Sequence, residues 1–219
     1  MALTVQQARS VYNRIGRVQD WQAFYEDVAT DRLVANAALA GNQTIFEFGC
    51  GTGRLADRLL GTLPSSVDYV GVDISPVMID ITTSRLAAWG DRAKAVLVDG
   101  SLPLPADDGF ADRVLSSFVF DLLDEDYARA VLDDLRRMLT DDGRLCLASL
   151  SHGDRLLERA VSRAWTGLWG LAPQLLGGCR PIDVSALLDR DWQIQHHSRV
   201  HQWGLVTDVV IATPRTHHP

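Results

Sequence analysis

The sequence predicts an α/β domain on a doubly wound, mostly parallel sheet, and three observations carry that reading. Short apolar runs alternate with helix-period segments from residue 44 onward. The stretch TIFEFGCGTGRL at 44–55 joins a strand to a helix through a glycine turn. Acidic residues, Glu47, Asp73 and Asp99, stand at or near the ends of the first three apolar runs.

Each element follows in order. Residues 1–40 hold no strand pattern and read as one or two helices, with Val11, Ile15 and Val18 on one face and Phe24, Val28 and Leu33 on another. Ile45, Phe46 and Phe48 form a short buried strand, and Gly49, Gly51 and Gly53 turn the chain into a helix over about Arg54–Leu60. VDYVGV at 67–72 is a second strand. Ser75 caps the next helix, Pro76 fits its first turn, and the helix runs to about Ala88. KAVLV at 94–98 and DRVLSSF at 112–118 are the third and fourth strands. Between them and RLCLASL at 144–150 lies the clearest amphipathic helix, 124–140, with Tyr127, Val131, Leu135 and Met138 on one face. Asp133, Asp134, Arg136 and Arg137 occupy its other faces, and Asp141–Asp142–Gly143 ends it. WQIQHHSRV at 192–200 and LVTDVVIAT at 205–213 complete a seven-stranded sheet whose C-terminal strand is antiparallel, with helices on both sheet faces.

The 219 residues therefore read as one domain: a helical lid at 1–40, a ligand-binding core at 41–150, and acceptor-side elements with the last two strands at 151–219. Apolar content of 47% suits a globular core, and a net charge of −7 disfavours a general nucleic-acid binder. Cys50, Cys146 and Cys179 form no CxxC pair, so neither a zinc site nor a disulfide framework is indicated. No signal core opens the chain and no apolar run approaches the ~18 residues of a membrane span, so a cytoplasmic setting is expected. His196 and His197 are neighbours on a strand and face opposite sides, so no metal is expected there.

The glycine turn is a cradle for a nucleotide-like ligand, because its helix directs free N–H groups back at it. A dinucleotide fingerprint needs a third glycine at position 54, where the chain has Arg54; its spacing is G-x-G-x-G with Glu47 two places ahead. A tight turn without a ligand has the same spacing. Asp73, after the second strand, can accept hydrogen bonds from both ribose hydroxyls of such a ligand, a role that a nicotinamide enzyme would also require.

With E-x-G-x-G-x-G at 47–53, VDGSLPLPADDGFADRVLSSFVFDLLDE at 98–125 and LRRMLTDDGRLCLASL at 135–150, the chain resembles the class I S-adenosylmethionine-dependent methyltransferases. Within them it is similar to the quinone-biosynthesis and phosphatidylethanolamine N-methyltransferase subgroup, whose opening segment resembles residues 10–29. The resemblance implies a Rossmann-like methyltransferase fold and S-adenosyl-L-methionine as cofactor, with S-adenosyl-L-homocysteine as product. It implies that Gly49, Gly51 and Gly53 line the methionine and ribose, with Glu47 just ahead of them. It assigns Asp73 to the ribose, and Ile74, Met78, Asp99, Gly100 and Ser101 to the adenine. Ser117 and Phe118 fall to the sulfonium side, and Tyr12 closes over the methionine. Val119–Phe120–Asp121 replaces the glycine- and arginine-containing run of quinone C-methyltransferases, which counts against that reaction.

The expected chemistry is direct in-line methyl transfer to a small, lipophilic acceptor, with nucleic acid excluded. His152, just after the fifth strand, is the candidate base, and Asp121 could orient an ammonium or hydroxyl. Trp165, Trp169, Leu171 and Leu175 would either supply the acceptor's apolar face or pack their helix on the sheet through the tryptophans. A non-catalytic cofactor-binding subunit stays open. So does a nicotinamide-dependent oxidoreductase, although Lys94, the only lysine, has no tyrosine at the spacing of a hydride-transfer pair.

Overall fold

A computed structural model describes residues 4–16, 19, 23–39, 43–171, 178–188 and 191–215, without the side chains of 23–25. Val18, the Phe24 side chain, Leu175 and the tail from Thr216 lie outside the described residues. The strands are β1 (Thr44–Phe48), β2 (Asp68–Asp73), β3 (Ala93–Leu97), β4 (Ala111–Ser117), β5 (Leu139–Ser151), β6 (Trp192–Gln202) and β7 (Leu205–Pro214). The helices are α1 (Val5–Ile15), α2 (Ala23–Asn36), α3 (Arg54–Leu60), α4 (Pro76–Leu86), α5 (Glu125–Met138), α6 (Leu156–Leu171) and α7 (Val184–Leu187).

The seven strands lie in the order β3-β2-β1-β4-β5-β7-β6. β7 runs antiparallel to both β5 and β6, while the ladders among β1 to β5 are parallel. The order reverses between β1 and β4, so their carboxyl ends open the crevice in which such sheets bind ligands.

Period-two alternation along β1 sends its side chains to two cores. Phe46 and Phe48 pack with Val131, Leu132 and Leu135 of α5. Ile45 joins Leu33 of α2 and Leu59 of α3 on the opposite face. Glu47 faces the same way as Ile45, which is why a carboxyl in so short a strand is buried.

The segment after α5 differs most from the sequence reading. β5 begins at Leu139, so Asp141–Asp142–Gly143 is strand, and the irregularity falls where Ala111 pairs Leu139 and Arg113 pairs Arg144. Asp134, on another face of α5 as read, is buried: its carboxylate accepts the Leu104 N–H at 2.6 Å and an Arg137 N–H at 2.8 Å. A helix-period pattern cannot distinguish such a buried, paired acid from a surface one.

Candidate cofactor and acceptor site

The glycine turn is held by its neighbours as much as by its own conformation. Gly49 and Cys50 both donate their N–H to the Val72 carbonyl at the end of β2. Gly49 has φ +78°, and a Cβ there would sit 2.4 Å from a Val119 methyl carbon. No other residue fits without moving the turn after β4. Gly53, at φ +72°, precedes α3, and its missing Cβ makes room for Thr82 of α4.

Asp73 ties this turn to the next strand end. One carboxylate oxygen accepts the Gly51 N–H at 3.0 Å and the other accepts the Ser75 N–H at 2.8 Å. Burial pushes its pKa up, while the hydrogen bonds from Ser75 and Gly51 pull the other way. Glu47 lies deeper. It accepts the Tyr69 hydroxyl at 2.6 Å, and burial raises its pKa to about 8.

A cavity of about 240 Å³ opens along these carboxyl ends. It gathers Tyr12, Gly49, Gly51, Asp73, Ile74, Gly100, Ser117 and Phe118. A smaller recess of about 70 Å³ shares Gln19, Gly49, Gly51 and Ser117 with it and includes Glu47. At the border the Ser117 hydroxyl oxygen and the Gln19 side-chain oxygen are buried and unpartnered among the described residues. Such polar groups are costly unless a ligand or water meets them. Phe118 adopts φ +56° beside them, a conformation that non-glycine residues adopt chiefly where surrounding structure imposes it.

α1 crosses this crevice and is pinned to it. The Thr4 side chain caps its first turn, Arg9 donates to the Ile74 carbonyl at 2.7 Å, and the Ser75 hydroxyl meets the Asn13 side-chain oxygen at 2.6 Å. Val5 packs so closely on Gly100 that a Cβ there would come within 2.7 Å of its methyl carbon. On the far wall the Tyr127 hydroxyl donates to the Gly100 carbonyl at 2.7 Å.

Other expected residues lie off the cavity. Met78 is fully buried and its N–H serves the Ser75 cap, so it is core. Asp99 and Ser101 are exposed, and the Asp99 carboxylate accepts both the N–H and the hydroxyl of Ser101, which holds its pKa below the usual range. His152 is exposed beyond β5 and lines neither recess; its carbonyl accepts from Arg199. Asp121 is wholly buried behind the 119–123 turn, accepts the Leu150 N–H at 3.3 Å, and has its pKa raised to about 7 by burial. Sequence reading missed the apolar wall of Val5, Leu104, Val119, Leu122 and Leu123. Those residues look like ordinary core until the fold turns them toward one space.

The tryptophans of α6 do not line the cavity either. Trp165 donates its indole N–H to the Cys179 carbonyl and Trp169 to the Gly178 carbonyl, while Arg180 stacks over the Trp169 ring at 5.4 Å. They strap segment 178–182 to the helix. Asp154, Glu158 and His201 gather with ligand atoms within 4.8 Å of one another. Arg199 pairs with Asp154 at 3.2 Å and Arg155 lies 3.8 Å from Glu158, so both carboxylates already have cations.

Residues 46–145 match the family described as a methyltransferase domain, a class that uses S-adenosylmethionine. Over 128 residues the chain is 32% identical to the ribosomal RNA small subunit methyltransferase C of Pseudoalteromonas translucida, covering 57% of this chain and 36% of that protein. It is likewise 32% identical over 128 residues to the malonyl-[acyl-carrier protein] O-methyltransferase of Hahella chejuensis, covering 58% of this chain and 43% of the relative. The chain thus spans less than half the length of these two relatives. Among solved structures, the [4+2]-cyclase SpnF superposes with a TM-score of 0.74 at 16% identity over 97% of each chain. The geranyl diphosphate C-methyltransferase of Streptomyces coelicolor, solved with Mg2+, geranyl-S-thiolodiphosphate and S-adenosyl-L-homocysteine, gives 0.65 at 14% identity, over 87% of this chain and 76% of that one. At such identities these two likenesses establish the Rossmann-like fold.

Proposed function

We propose that this chain, an enzyme whose methyltransferase domain occupies residues 46–145, moves the S-adenosylmethionine methyl group onto a small lipophilic acceptor. The observation that carries the reading is the convergence of the glycine turn, Asp73 and the Gly100 turn on one cavity roofed by α1.

The residues present suit that cofactor. Asp73, anchored to Gly51 and Ser75, keeps lone pairs for two ribose hydroxyls. Ile74 and the apolar wall suit an adenine ring, and the unpartnered Ser117 and Gln19 oxygens suit polar groups of a methionine moiety. Glu47 would face that end of the ligand through the smaller recess. The sulfonium supplies a reactive methyl group when bound; the protein's work is to align an acceptor with it and exclude water. Tyr12 and Phe118 would close over that line. Asp121 is assigned to holding the 119–123 turn in place, since it lies behind the wall. No base from His152 is invoked.

The preference for a small acceptor over RNA rests on the apolar wall and on the net charge of −7. Membership of the quinone-biosynthesis and phosphatidylethanolamine N-methyltransferase-like subgroup is proposed on the segments at 10–29 and 98–150 alone. The test is a thermal-shift series. S-adenosylmethionine and S-adenosylhomocysteine should stabilise the native chain by about 2.7 kcal/mol at a hundredfold excess over Kd, while NAD and NADP should not. Asp73→Ala should weaken binding by roughly 1.5–3 kcal/mol, the range for hydrogen bonds to a charged group. Stabilisation by NAD alone would sink the cofactor assignment. Methylation of ribosomal RNA in preference to a panel of lipophilic small molecules would sink the acceptor class.

A further inference from the structure

Helix α6 is turned inside out. Its buried positions are Glu158 and Ser162, while Leu157, Leu168 and Leu171 stand 71%, 43% and 87% exposed. At about 100° per residue, Leu157, Val161, Ala164, Leu168 and Leu171 fall on one stripe, about a third of a turn around the helix from the face that carries Glu158, Ser162 and Trp169. Glu158 faces inward because it meets the His201 ring nitrogen at 2.9 Å and the Arg155 N–H at 3.1 Å. The tryptophans face inward because their indoles bind carbonyls of segment 178–179. An apolar stripe left in water is costly, and contiguous patches of this kind mark interaction surfaces.

A second element extends the stripe. Trp203, at the tip of the β6–β7 hairpin, is 78% exposed and adopts φ +55°. Its neighbour Gly204 lies against Val161, so the hairpin tip that carries Trp203 adjoins the helix stripe. Along the other margin run Arg159 and Arg163, both exposed and, among the described residues, in no ion pair. The only acid on the helix, Glu158, is buried.

We propose that this face, α6 with the Trp203 tip, docks the protein on an anionic lipid surface. An apolar stripe that enters the acyl boundary, arginines that reach phosphate oxygens and a tryptophan at the polar margin form the pattern of helices that lie in a membrane interface. The helix has 16 residues, and no described helix is long and apolar enough to cross a membrane, so the mode is lying on the surface. The overall charge of −7 does not oppose this, because charges beyond a Debye length of about 8 Å are largely screened. A second copy of the chain fits less well. Two α6 helices laid face to face would bring Arg159 and Arg163 against a helix that exposes no carboxylate. The inference does not depend on methyl transfer.

Vesicle co-sedimentation of the full chain tests it, with phosphatidylcholine alone and with phosphatidylcholine mixed with phosphatidylglycerol. The native chain should sediment with the anionic vesicles and not with the neutral ones. The R159Q/R163Q variant should lower the partition coefficient by about thirtyfold, because each basic residue near such a surface contributes about fivefold. The L168D/L171D variant should abolish binding while keeping the native melting temperature, since both side chains are exposed. Native protein left in the supernatant with both vesicle types would overturn the proposal. So would native-like binding by either variant. A native dimer in sedimentation velocity that L168D/L171D converts to monomer would assign the face to a second copy and overturn it equally.

Discussion

The rim around the glycine turn and the flank formed by α6, segment 178–182 and β6 are built on different logics. At the rim, the organising contacts start at strand ends and reach backbone groups. The Gly49 N–H goes to the Val72 carbonyl, and Asp73 takes the Gly51 and Ser75 N–H groups. On the flank they are contacts made by side chains that reach from one element to the next, such as Glu158 with His201, Trp165 with the Cys179 carbonyl, and Arg199 with Asp208. The rim follows from where parallel strands end; the flank depends on which surfaces the tertiary fold brings together.

The largest effect should come from breaking the rim at its tightest point. Gly49→Ala places a methyl group 2.4 Å from a Val119 methyl carbon at a positive φ. Left-handed strain and overpacking together should cost about 2–5 kcal/mol. Denaturant unfolding should show this loss together with weakened cofactor binding, since Val119 lines the cavity. A variant as stable as the native chain would mean that the Val119 turn is soft and that Gly49 is not required for the turn.

An intermediate effect probes the buried acid of the rim. Glu47 has its pKa raised from 4.5 to about 8, chiefly by burial. A folded pKa above the unfolded one means that its contribution is complete below about pH 4.5 and is lost as pH rises through about 8. Stability should therefore fall across that interval, with Asp121 and Asp73 adding slopes of the same sign because burial raises them too. Glu47→Gln keeps the shape and removes the ionisation. It should reduce the loss by something on the order of 3 kcal/mol, read from urea midpoints between pH 5 and pH 8. Parallel pH profiles for native and variant would show that Glu47 stays ionised in the fold.

These contrasts explain what could be read before the fold was known. The helix bounds Arg54–Leu60 and the cap at Ser75 were legible because glycine turns, Pro76 and capping chemistry are local. The gathering of Asp73, Gly100 and Ser117 was legible because strand-end positions in a parallel sheet share one rim, whereas Tyr12, on α1, was reached through the resemblance alone. Met78 and Asp99 show the limit. Both stand in segments that the resemblance assigns to the adenine, yet Met78 points into the core and Asp99 turns to Ser101. Sequence spacing places a residue on an element without fixing where its side chain ends. The α6 tryptophans show the same limit more strongly, because four-residue spacing correctly puts them on one face and says nothing of what that face meets.

The smallest effect concerns that face. Trp169 contributes one hydrogen bond to the Gly178 carbonyl, at 2.8 Å, and one stacking contact with Arg180. Arg180 in turn donates its backbone N–H to the Asp121 carbonyl and a side-chain N–H to the Leu123 carbonyl. Trp169→Ala should therefore loosen the strap and cost about 1–2 kcal/mol, the sum of a neutral hydrogen bond and a partly exposed cation–π contact. Cofactor affinity should stay within about twofold of native, since the indole does not line the cavity. A raised acceptor Michaelis constant at an unchanged melting temperature would instead make Trp169 a wall of the acceptor's path. The opposite pattern, a lowered melting temperature with unchanged acceptor kinetics, would make the flank a structural brace whose reach to the cavity runs through Arg180 and the turn it holds.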